Sequence, residues 1–151
     1  MSALGFHVMA KPMGPVCNLE CKYCFYLEKN HLFPKGELFR MQDDVLEAYI
    51  QKYICEQDLP EISFVWQGGE PTLAGIPFFE KVLALQKKWA GGKRIQNALQ
   101  TNGILLDDTW CRFLHDHSFL VGISLDGPAF LHDQHRGDCA GKGTFHRAGT
   151  G

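Results

Sequence analysis

The sequence has no apolar run approaching the roughly 20 residues of a membrane-spanning helix. It opens as Met1-Ser2-Ala3-Leu4-Gly5, without a basic stretch leading into a long apolar one. These two absences predict a soluble, cytoplasmic chain with no membrane partner. A surplus of charge of one sign is also lacking: 15 Lys and Arg stand against 17 Asp and Glu, a formal net charge of −2. That excludes a strongly basic nucleic-acid-binding surface, so no nucleic-acid partner is expected. With 45% hydrophobic and 21% charged residues, the composition fits neither a disordered nor a collagenous chain. A chain of 151 residues buries roughly two thirds of the surface its unfolded form exposes. One domain with its own core is expected, and the six cysteines are not needed as disulfides. In a reducing compartment they are ligands, reactive thiols or core residues instead.

Hydrophobic patterning then sets the architecture. Phe6 to Ala10 reads as a short strand, broken by Pro12 and Pro15 into a loop that carries Cys17, Cys21 and Cys24. From Met41 a helix is expected, with Asp44 and Glu47 spaced as a capping box and Met41, Val45, Tyr49 and Tyr53 on its buried face. Ile62 to Trp66 reads as a second strand ending at Gln67-Gly68-Gly69-Glu70-Pro71. A second helix carries Phe78, Val82, Leu85 and Trp89 and stops at Gly91-Gly92. Ile95 to Gln100 is a third strand, followed by Thr101-Asn102-Gly103. A third helix from about Asp108 carries Trp110, Phe113 and Leu114, and Phe119 to Leu125 is a fourth strand ending at Asp126-Gly127-Pro128. From Ala129 no further apolar stripe appears. Alternating strands and helices predict an α/β fold with a parallel sheet and right-handed crossovers. Its site lies where the loops after the strands converge. A closed eight-unit barrel needs on the order of 250 residues, so a partial (β/α) barrel of about four units is expected, truncated and with an open edge at its last strand.

Three cysteines separated by three and then two residues can point into one loop and hold a single centre. Three thiolates on a cubane iron–sulfur cluster leave one iron open to an exogenous ligand. Two other readings remain: a structural zinc knuckle completed by another cysteine or by His31, and a thioredoxin-like dithiol formed by Cys21 and Cys24, which requires the pair to open a helix.

The loop Cys17 to Cys24, with Tyr23 just before its last cysteine, resembles the signature of radical S-adenosylmethionine enzymes. The resemblance implies that Cys17, Cys21 and Cys24 bind a 4Fe-4S cluster, whose fourth iron is chelated by the amine and carboxylate of S-adenosyl-L-methionine, and that Tyr23 contacts adenine. Gly68, Gly69 and Glu70 match the motif that accepts hydrogen bonds from the methionine ammonium, although they also suit a plain turn. Residues matching Ser124 and Arg136 contact the cofactor's ribose and carboxylate, although both could be solvated surface residues. Gln100 to Gly103 faces the same site or only turns the chain.

Longer stretches resemble one subfamily, the anaerobic sulfatase-maturating enzymes: Met9 to Pro12, Cys24 to Glu28, Trp66 to Leu73, Leu99 to Gly103 and Ser124 to Pro128. The resemblance runs from about residue 6 to residue 145 and matches the N-terminal part of such enzymes. It implies an iron–sulfur oxidoreductase that converts a cysteine or serine of a sulfatase polypeptide to formylglycine through a 5′-deoxyadenosyl radical, fed by a low-potential electron donor. The subfamily's proton-accepting carboxylate and auxiliary-cluster cysteines lie beyond residue 151. Residues 1–151 are therefore expected to be the N-terminal part of the radical core domain, with no catalytic residue assigned and without the auxiliary-cluster domain. A radical enzyme modifying another peptide and a non-catalytic metal-binding module are the alternatives. Cys55 and Cys111 are expected as buried core thiols, Cys139 as an incidental exposed thiol, and His115, His117 and His132 as surface residues.

Overall fold

A computed structural model describes residues 5–32 and 39–148. Met1 to Leu4, the side chain of His31, and the tail glycines Gly149 and Gly151 lie outside the described residues. Four strands, β1 (Met9–Ala10), β2 (Glu61–Trp66), β3 (Arg94–Thr101) and β4 (Leu120–Ile123), form one parallel sheet in the order β1-β2-β3-β4. Each strand pairs with the next in sequence. Helices α1 (Asp43–Cys55), α2 (Ile76–Trp89) and α3 (Asp108–Asp116) make the crossovers, as the βα alternation predicts. No helix among the described residues is long and apolar enough to cross a membrane.

The core lies between the sheet and these helices. Ile62, Phe64 and Trp66 alternate along β2 and are fully buried, with Leu46, Ile50 and Ile54 of α1 and Phe78, Phe79 and Val82 of α2 in the same cluster. The indole of Trp66 donates to Asn97 Oδ1 (2.9 Å), and Asn97 and Gln86 exchange two amide bonds, so this polar insert is satisfied inside the core. Toward the other face, Leu120 of β4 is 74% exposed.

Several boundaries differ from the sequence reading. The first strand is only two residues long, because residues 6–8 bond to α1 and the residues just after it instead: Phe6 N–H donates to Gln57 Oε1 and Val8 N–H to the Tyr53 hydroxyl. Helix α1 starts at Asp43 behind Gln42, with no side-chain cap, so Asp44 and Glu47 form no capping box. Its buried face is Leu46, Ile50, Tyr53 and Ile54, one position round from the expected stripe, which leaves Val45 exposed. Helix α3 matches its expected start, capped by Asp107 accepting from Trp110 N–H (2.8 Å). Beyond β4 the chain forms two further helices, α4 (Ala129–His135) and α5 (Phe145–Ala148), which the sequence reading lacked.

Candidate functional site

The cysteine loop follows β1 and is pinned from two sides. Glu20 N–H donates to Gly137 O and Lys22 N–H to His135 O (both 2.9 Å), while Leu19 bridges Asp138 in antiparallel fashion. From the β2 side, Glu70 N–H donates to Val16 O (2.8 Å). Gly69 sits at φ +54°, where a Cβ would overlap the Val16 carbonyl. Glycine is therefore required here by the chain's own packing. The loops after all four strands open on one cavity of about 270 Å³, lined by Cys17, Cys21, Cys24, Gly68, Gly69, Glu70, Gln100, Thr101, Asn102, Ser124 and Arg136 among others.

All three cysteines are free thiols. Burial pushes the Cys17 thiol up to about 11 against the opposing Leu19 N–H bond, and burial likewise raises Cys21 against the pull of Arg136. Cys21 and Cys24 lie in a turn closed by Cys24 N–H to Cys21 O (2.9 Å), ahead of a short 3-10 helix at Leu27–Leu32. A dithiol of the thioredoxin kind needs a helix N-terminus and a lowered thiol, and Cys21 has neither. Among the described residues, no group of three or more His, Cys, Asp or Glu is gathered tightly enough to hold one metal ion.

Glu70 is 1% exposed. Its Oε1 accepts from Thr72 N–H (3.0 Å), the Thr72 hydroxyl (2.6 Å) and the Thr101 hydroxyl (2.7 Å), and its Oε2 accepts from Asn102 N–H (2.8 Å). The carboxylate therefore ties the β2 loop to the β3 loop, and Oε2 retains a lone pair for a further donor. Ser124 accepts from Gln100 Nε2 (2.9 Å) at the cavity rim.

Arg136 enters the cavity from beyond α4. Its Nε donates to Asp126 Oδ2 (2.9 Å), which also accepts from the Tyr23 hydroxyl (2.6 Å), and the guanidinium lies 5.4 Å from the centre of the Tyr23 ring. Burial pushes the Asp126 carboxyl up, but the Arg136 and Tyr23 bonds outweigh it and hold it below the ordinary carboxylate range. Burial, joined by the bond to Asp126, pushes the Tyr23 hydroxyl up to about 12. Burial pulls Arg136 the other way, but its bond to Asp126 prevails and keeps the guanidinium charged. Beneath them, His132 is 1% exposed. Its Nδ1 accepts from Asp126 N–H (3.4 Å), so Nε2 carries the proton toward Thr144 Oγ1 (3.1 Å), which in turn donates to Arg136 O (2.9 Å).

Thus the cavity gathers every expected site residue except Tyr23, which stands at its edge, 54% exposed, with its hydroxyl turned to Asp126. Asn102, in the stretch expected either to face the site or only to turn the chain, does line the cavity, whereas the sequence reading missed Asp126 and His132 as parts of the site. His132 is buried and not a surface residue, because its ring bridges two segments of the chain. Cys55 and Cys111 are exposed and not core thiols, since the buried faces of α1 and α3 point elsewhere; Cys139 is exposed as expected. His115 and His117 are exposed.

Residues 12–148 match the model of the radical SAM superfamily. The chain is 46% identical over 139 residues to the serine-type anaerobic sulfatase-maturating enzyme of Bacteroides thetaiotaomicron, covering 92% of this chain and 34% of that one. It is 43% identical over 141 residues to the cysteine-type enzyme of Clostridium perfringens, covering 93% and 38%. Native anSMEcpe with bound AdoMet superimposes with a TM-score of 0.84 at 44% identity, covering 93% of this chain and 38% of that one. The same protein with bound AdoMet and the Cp18Cys peptide gives 0.82 at 43%, covering 93% and 37%. The chain therefore spans little more than a third of the length of these relatives.

Proposed function

From the premise that this chain belongs to the radical SAM superfamily, we propose that its cavity holds a 4Fe-4S cluster on Cys17, Cys21 and Cys24, with S-adenosylmethionine beside it. The observation that carries this reading is the convergence of loops from four strands, bringing three free thiols, a buried carboxylate and a guanidinium to one cavity. The donor set fits the group. Three thiols lining one cavity are the soft donors an iron–sulfur centre takes, and three such ligands would leave the fourth iron for the cofactor. When bound, the cluster would supply single-electron reduction of the S-adenosylmethionine sulfonium, the chemistry that makes hydrogen-atom abstraction from a substrate carbon available.

The chain's own residues do the binding and orienting. Arg136 offers a planar cationic fork to a carboxylate, held at the cavity wall by Asp126. Oε2 of Glu70, with the backbone of Gly68 and Gly69, offers acceptors to an ammonium group. Ser124 presents a hydroxyl to a ribose, and Tyr23 presents an aromatic face to adenine. Residues 1–151 act as the N-terminal part of the radical core domain. The substrate class follows the relatives: a cysteine or serine side chain of a sulfatase polypeptide, oxidised to formylglycine with S-adenosylmethionine as the two-electron acceptor and a low-potential electron donor priming the cluster.

The test is anaerobic reconstitution with iron and sulfide, followed by S-adenosylmethionine binding. About four iron and four sulfide per chain are expected, as for a cubane cluster, lost in Cys17→Ala, Cys21→Ala and Cys24→Ala and kept in Cys55→Ala. One zinc with no stable cluster overturns the reading in favour of a structural metal module.

A further inference from the structure

Cys17 differs from its two partners in the loop. Its sulfur is approached by the side-chain amide of Asn102, with Nδ2 3.7 Å from Sγ, and by Leu19 N–H at 3.4 Å. Asn102 lies 85 residues further along the chain, is 7% exposed and is held at both ends of its side chain and at its backbone. Its backbone N–H donates to Glu70 Oε2 (2.8 Å), its Oδ1 accepts from Ile104 N–H (3.0 Å), and its Nδ2 also donates to Asn18 Oδ1 (2.8 Å). Because Oδ1 is committed to a backbone donor, the amide cannot be reversed, and its NH2 group must face Cys17 and Asn18.

We propose that Asn102 is a positioning residue for Cys17: its side-chain amide, fixed by Ile104 and Asn18 while Glu70 holds its backbone N–H, aims the Cys17 sulfur at the cavity and withdraws charge from it through an N–H···S bond. The proposal rests on the cluster assignment above for its redox consequence. Hydrogen bonds to ligating sulfur set the potential of an iron–sulfur centre, and a donor favours the more electron-rich, reduced state. The buried Glu70 thereby gains a second role, since its carboxylate orients the residue that addresses the cluster ligand.

The test uses the whole chain in two states. In the metal-free chain, the Asn102 side-chain amide signals in a nitrogen–proton correlation spectrum should shift in Cys17→Ala and hold their place in Cys24→Ala. In the reconstituted chain, Asn102→Ser keeps a short polar group but cannot reach Cys17. Its midpoint potential should move negative while iron content stays at the wild-type level. Asn102→Asp keeps the size and the Ile104 bond, replaces the donor with an acceptor and should move the potential further the same way; it serves also if the serine variant fails to fold. Amide signals indifferent to Cys17, or a midpoint unchanged in a folded variant, overturn the proposal. If wild type takes up no cluster while the Asn102 amide still responds to Cys17, the cofactor reading and its redox consequence fail and the positioning contact stands.

Discussion

On the helix-covered side of the sheet, Phe64, Trp66, Phe78 and Phe79 touch at ring-centre distances of 5.3 to 6.1 Å and exclude water completely. At the carboxyl ends of the same strands, Glu70, Thr101, Asn102, Asp126, His132 and Arg136 are held by directed polar bonds, some of which join residues 31 and 32 positions apart. The first region spreads its stability over many contacts, because dispersion and burial are non-directional. The second does not, because each buried donor or acceptor that loses its partner carries a desolvation cost. Stability therefore resides on one side and geometrical definition of the site on the other.

That division can be tested, and the largest effect belongs to the apolar side. Phe64→Ala should cost about 3–5 kcal/mol, read as a lower denaturant midpoint shared by every probe; a local loss confined to the cysteine loop breaks the division. Glu70→Gln should cost about 1–3 kcal/mol, because one of its two oxygens becomes a donor facing donors, and alkylation of the metal-free cysteines should accelerate before global unfolding. The Asp126 contribution is smaller and depends on pH. Its carboxyl is held below the ordinary value near 3.9, so its stabilisation is present above about pH 4 and lost as pH falls through the depressed folded value. The midpoint gap between wild type and Asp126→Asn should close on acidification, and a gap that widens contradicts the pairing. Cys55→Ser and Cys111→Ser, both exposed, should stay within about 0.5 kcal/mol of wild type by the same measurement.

The apolar side was the legible one. Alternation in Ile62 to Trp66 and the stripes of α2 and α3 announce buried faces directly, because burial imposes a period on the sequence. The cysteine spacing was legible for a similar reason, being a local constraint within eight residues. What failed were features fixed by single polar partners far along the chain. Residues 6–8 look like a strand until Tyr53 and Gln57 take their backbone bonds. Helix α4 carries exposed Phe130 and Leu131 beside a buried His132, so no apolar period marks it. Cys55 and Cys111 show that residue type alone does not place a thiol, since the face of its helix decides. Asn102 stood in a stretch legible as a turn, and its bond to Cys17 has no local signature.

Gly69 offers a lesson for anyone scanning this chain by saturation mutagenesis. The position will score as intolerant as a cysteine ligand, yet the intolerance originates in one missing methyl that lets the Val16 carbonyl pass. A side chain there would act as a shim, pushing on the backbone at Val16, next to Cys17, so that the damage begins at the base of the cysteine loop.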